Sequence, residues 1–276
     1  MIELFFKIVL PVLMIGIVTL VSQRYGPSVG GILGAVPAKG GPILLFLALD
    51  QGRSFAATSA AASIGGAGGC GVFCLVYARV CRRVSWPVAG AAAYGAFVAT
   101  WAVMLPISAL GPGAAFAAAF ALLLISRRLL PEAPPVAGRR ATTLTDLPAR
   151  MIAGAGMVVL VTTVGPYFGA TISGMMATIP TVAAVLALFT HAQEGPDRTI
   201  GVMRGMTHGL LGFASFLAVV AATLVPLGIL GGFALAGSAV VIVQLVELRS
   251  AFRARRPPVE AAAETAAELA LPEAGE

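Results

Sequence analysis

Two stretches, Gly30-Gly31-Ile32-Leu33-Gly34-Ala35-Val36-Pro37 and Ser173-Gly174-Met175-Met176-Ala177-Thr178-Ile179-Pro180, stand 143 positions apart. Held without a gap, that offset also pairs Gly26 with Gly169, Gly31 with Gly174, Phe46 with Phe189 and Gly52 with Gly195. Further along it pairs Gly66 with Gly209, Gly69 with Gly212 and Phe73 with Phe216. A chain rich in Ala, Gly and Leu matches itself by chance, so the Pro and Phe pairs carry the argument. An internal duplication with a Pro-interrupted apolar segment in each half is the sequence pattern of a transporter binding site.

Composition sets the class. Hydrophobic residues are 58% of the chain, charged residues 11%, and mean hydropathy is +0.94. A soluble domain carries about 25% charge. Several apolar runs exceed the ~20 residues that cross a hydrocarbon core, so the chain reads as an all-α polytopic membrane protein. The alternating ~10-residue segments of a β-barrel are absent from the sequence. The net charge of +6 sits at the ends of apolar runs, where it sets topology rather than binding nucleic acid. Cys70, Cys74 and Cys81 have no metal or disulfide spacing. The N-terminal stretch has no small-residue cleavage pattern and reads as a retained first helix.

The basic residues fall at Arg24, at Arg79, Arg82 and Arg83, at Arg127 and Arg128 with Arg139, Arg140 and Arg150, at Arg198, and at Arg249 to Arg256. Each interval is long enough for two helices that leave and return to one side. Basic loops stay cytoplasmic. The spacing predicts about nine spans, near 4–22, 26–49, 54–78, 85–105, 108–126, 150–165, 168–190, 199–224 and 228–248, with the N-terminus outside and the C-terminus inside. The fifth is the weakest, because Gly111-Pro112-Gly113 shortens it. The expected organisation is a first repeat over 1–106, a linker helix and cytoplasmic loop over 107–149, a second repeat over 150–251 and a polar cytoplasmic tail over 252–276. The Pro-bearing spans are five apart and run in opposite directions, so the four-helix repeats are expected to be inverted. Gly205, Gly209 and Gly212 recur at helical spacing, which reads as tight helix packing.

Pro37 and Pro180 each follow their repeat's glycine, Gly26 or Gly169, by eleven residues, about 16 Å into a ~30 Å core. Proline removes a backbone donor and clashes with the preceding turn. Each site is then either a plain kink or a break lining a cavity, with Gly40 and Thr181 beside it. Lys39 is one of two lysines and falls near the midplane, where an ionisable residue is a functional candidate. Its alternative role is to snorkel or to cap carbonyls. Arg204 and His208 share a helical face, either meeting an anion or a coupling proton or contacting lipid phosphate and a neighbouring helix. His191, Glu194, Asp197 and Arg198 are a solvated loop or a gating pair. No nucleophile triad, carboxylate pair or metal-ligand spacing lies in the spans, so neither catalysis, cofactor nor metal is expected.

The second stretch, Gly174 to Pro180 with Thr181, followed by Phe189, His191, Glu194 and Gly195, resembles the GlpM-type bacterial inner-membrane proteins. The likeness covers fifty to sixty residues of each half, and the first half departs from it at Ala38 and Ala48. It implies a bacterial inner membrane and a fused duplication, with no substrate. The expected function is a secondary transporter or exporter of a small anionic or zwitterionic solute, or a lipid, acting through Pro37, Lys39, Gly40, Pro180, Thr181, Arg204 and His208. The alternative is a non-transporting accessory or assembly protein of an envelope pathway. Membrane lipid and a small solute are the expected partners, nucleic acid is not, and homo-oligomerisation stays open.

Overall fold

The computed structural model describes residues 2–37, 40–133, 146–164 and 178–253. Every regular element among them is a helix: α1 (Ile2–Tyr25), α2 (Pro27–Gly34), α3 (Gly40–Asp50), α4 (Arg53–Val80), α5 (Trp86–Ala109), α6 (Pro112–Leu129), α7 (Asp146–Val164), α8 (Thr181–Glu194) and α9 (Pro196–Arg253). Three are long and apolar enough to cross a membrane, Arg53–Val80, Trp86–Ala109 and Pro196–Phe252. Leu230, Val241, Ile242, Leu245 and Val246 stand exposed on the last of them. An apolar surface of that kind needs lipid against it, and the chain is a helical membrane protein.

Of the nine expected spans, the third, fourth, eighth and ninth fall on those long helices. The second is broken into α2 and α3 around Pro37, and the seventh is described only from residue 178. The first, fifth and sixth fall on α1, α6 and α7, which are 24, 18 and 19 residues long. The expected polar tail lies outside the described residues beyond Arg253, as does most of the loop between α6 and α7.

The longest helix is two arms. α9 leaves helical geometry at Gly228 (φ 73°, ψ 179°) and folds back. His208 then meets Glu247, the Gln244 amide donates to the Gly209 carbonyl (3.1 Å), and the Phe216 and Phe233 rings lie 6.2 Å apart. Those pairings run in opposite sequence order, so the arms are antiparallel. α4 and α5 form the same hairpin, through Gly65 beside Met104, Gly69 beside Phe97, and Phe73 against Tyr94 (5.1 Å). Adding 143 to Gly65 and Met104 gives His208 and Glu247, the matching contact of the other hairpin.

The offset recurs in the chain's turns and its cross-contacts. Gly52 before α4 and Gly195 before α9 both have φ +91°. With ψ of 163° and 174° this is a region that glycine alone populates, and a side chain there would cost about 1–3 kcal/mol. Gly52→Ala and Gly195→Ala are therefore each expected to lower the melting temperature of the purified protein, whereas Gly237→Ala, where added atoms meet nothing within 4 Å, should not. Between the halves, a Cβ on Gly66 would strike Thr178, and one on Gly209 would strike Ala35. Those two contacts exchange under the offset. α1 packs on α7 with Ile15 filling the gap at Gly154 and Met151 the gap at Gly16, so these matched helices are antiparallel.

Close backbone approach holds the centre together. Gly201, Gly205 and Gly209 line the side of α9 that receives α2, facing Pro27, Ser28 and Ile32 respectively, while Gly31 faces Val202 and Met206. Small residues at i, i+4 let helix backbones touch.

Candidate functional site: the paired helix breaks

At Pro37 the chain does not kink; it stops being helical and restarts. α2 ends with the Ala35 and Val36 amides turned back to Ile32 and Leu33, and α3 begins at Gly40. The Pro37 carbonyl then accepts from the Gly41 amide at 2.8 Å. At the second site the Pro180 carbonyl accepts from the Ala184 amide at 2.9 Å, the same bond moved by the offset. Each proline thus starts the next helix through its carbonyl, and Pro37 also closes off α2, because it lacks the donor needed to continue it.

Between the two breaks lies a cavity of about 70 Å³. Ala35 and Thr178, Val36 and Ile179, Pro37 and Pro180, Gly40 and Ala183, and Cys70 and Phe213 line it as five pairs, each separated by the offset. Met206 and Leu210 of α9 complete its apolar wall. The hydroxyl of Thr181 donates to the Ile179 carbonyl (3.0 Å), and the Cys70 thiol to the Thr178 carbonyl (3.2 Å). The N-terminal ends of α3 and α8 both border this cavity, and helix N-termini carry partial positive charge.

Of the residues singled out from the sequence, Pro37, Gly40, Pro180 and Thr181 line this space together. Lys39 lies outside the described residues. Arg204 and His208 are elsewhere and apart in role. Arg204 donates to the carbonyls of Leu130 (3.3 Å) and Pro131 (3.0 Å), capping the end of α6. The His208 Nδ1 lies 2.7 Å from Glu247 Oε2, and Arg127 Nη1 lies 3.0 Å from Glu247 Oε1. Glu247 is buried, at 9% side-chain exposure. Sequence reading did not single it out. The offset of 143 carries the Gly65–Met104 contact onto His208 and Glu247, but that contact itself comes from the fold and left no signal in the sequence.

The loop group divides as well. Asp197 pairs with Arg82 (2.8 Å) at an exposed position, and His191 meets the Tyr77 hydroxyl (3.2 Å). Glu194 joins Arg150 (3.1 Å) and Arg198 (3.3 Å) in a buried group. Two further cavities flank the first along α9. One touches Val202 and the other, about 560 Å³, touches Ala221 and Val225. Among the described residues no group of His, Cys, Asp and Glu has the geometry of a metal site. Comparison with protein families, curated proteins and solved structures finds no match to this chain.

Proposed function

We propose that the chain is a secondary transporter or exporter of a small anionic or zwitterionic solute, built as two inverted repeats of four spans around a linker span in a bacterial inner membrane. The observation that carries the reading is the cavity between the two proline-initiated helix starts, walled by residues paired across the halves. A site on a pseudo-two-fold axis presents the same walls to either side, and exchanging the halves' conformations opens it alternately. The antiparallel contact of α1 with α7 favours an axis in the membrane plane. The cavities met from Val202 to Val225 extend over 23 residues of α9, about 34 Å, the depth of a hydrocarbon core. Two helix N-termini beside an otherwise apolar wall suit an anionic group attached to a compact apolar body. Lys39, two residues after the first break, is the proposed counter-charge.

Water access tests this. Gly40→Cys and Thr181→Cys are expected to react with a membrane-impermeant thiol reagent, and solute added to the medium should slow that reaction. Cys70 lines the same cavity and is replaced by Ala in both variants, while Cys74 and Cys81 are buried away from it and burial pushes Cys81 up to about 11. If both introduced thiols stay inert from both sides and purified protein in liposomes moves no solute, the reading fails and the accessory-protein alternative takes its place. Lys39→Ala with unchanged uptake would remove that residue's role alone.

A further inference from the structure

Where α7, α8 and α9 meet, positive charge exceeds the negative charge among the described side chains. Arg150 has a side chain only 2% exposed, and donates from Nη2 to Gln193 (2.7 Å) and Glu194 (3.1 Å). The other oxygen of Glu194 stands 3.3 Å from Arg198, which is 9% exposed. One carboxylate therefore serves two buried guanidinium groups, and Gln193 is neutral. Asp197 does not help, being turned to Arg82. Phe189 lies 5.6 Å from the Arg150 guanidinium and offers a ring face without a full charge. Arg150 Nε is buried without a hydrogen-bond partner, and Arg198 Nη1 has only its ion pair with Glu194.

Arg150 and Glu194 also border a small enclosed cavity of about 10 Å³, whose other polar walls are Thr19, Ser22, Gln23 and Thr190. That is room for one compact occupant. A buried unpaired charge costs several kcal/mol, and buried donors without acceptors add to it. Excess positive charge and the unpartnered Nε of Arg150 beside a polar void share one remedy, a negative ion.

We propose that Arg150, on the wall of this cavity, forms an anion-binding site that takes a halide ion or a single oxygen of a phosphate or carboxylate, with Glu194, shared with Arg198, as the internal competitor that holds Arg150 when the site is empty. Gly30, Leu186 and Val202 line this cavity, about one turn from the Gly34, Val182 and Met206 that line the cavity at the helix breaks. The anion site is thus the inner mouth of that space. This role rests on the transport reading; the binding does not.

The test uses purified full-length protein in maltoside micelles, with melting followed as sodium phosphate or sodium chloride replaces gluconate at constant ionic strength. Wild type should show a saturable rise in melting temperature. Arg150→Gln should abolish the rise, and Arg198→Gln, which leaves Glu194 to Arg150 alone, should weaken it. Glu194→Gln should lower the half-saturating concentration about tenfold, because it removes the competing carboxylate. A purely structural ion pair predicts the opposite, a less stable Glu194→Gln protein with no anion response. A rise produced only by added phosphatidylglycerol assigns the same guanidinium chemistry to a lipid headgroup. No saturable response in wild type or Glu194→Gln overturns the proposal. Neither result depends on transport, so a failure of uptake in liposomes leaves the binding response to stand or fall separately.

Discussion

Gly205→Leu is expected to abolish accumulation of folded protein in the membrane, and Gly205→Ala to lower it strongly. Any Cβ at this position falls on the Ser28 backbone, not on a side chain that can turn away. α2 cannot retreat, because Gly31 on its own surface is pressed against Val202, Gly205 and Met206. Each helix is thus inserted into the other, and the ordinary overpacking cost of about 1–3 kcal/mol is a lower bound here. Gly95→Leu is the control, since nothing lies within 4 Å of its added atom. The readout is the monodisperse peak of detergent-extracted protein with its melting temperature. A Gly205→Leu protein that extracts and melts like wild type would refute the packing. The effect also reaches the site, because α2 ends at Gly34 on the cavity wall.

What could be read from sequence follows from how locally each residue acts. Pro37, Pro180, Gly52 and Gly195 act through their own backbone, so a fixed offset between them was visible before any fold was known. The break at Pro37, in place of a kink, needed more, namely Gly34 ending α2 and the Gly41 amide returning to the proline carbonyl. Side-chain pairings across helices were not legible. Arg204 and His208 share a face four residues apart, yet one caps the end of α6 and the other meets the second arm of α9. Arg150 read as a topology marker because basic residues at span ends usually are. Its burial depends on Gln193 and Glu194, more than forty positions away.

The charge group at Glu247 separates stability from purpose, and Glu247→Met is expected to cost about 1–3 kcal/mol, because Arg127 and His208 keep 35% and 23% of their side chains exposed. The substitution leaves Arg127 and His208 facing a carboxylate that is no longer there, in a place where Glu247 was 9% exposed. The first half solves the same packing problem without charge. Its matching residues, Gly65 and Met104, touch directly, a Cβ on Gly65 standing 2.9 Å from the Met104 Cβ. The triple variant Arg127→Leu, His208→Gly, Glu247→Met rebuilds that apolar contact in the second half. Replacing a buried ion pair by well-packed apolar groups is often neutral or stabilising, so the triple variant should recover most of the melting temperature lost by the single one. Recovery would mean that the second hairpin keeps its charges for a reason other than stability, and that the halves differ in function where they agree in shape. A triple variant as unstable as Glu247→Met would show instead that the two hairpins do not pack alike, and would take away the equivalence of the halves on which a symmetric site depends.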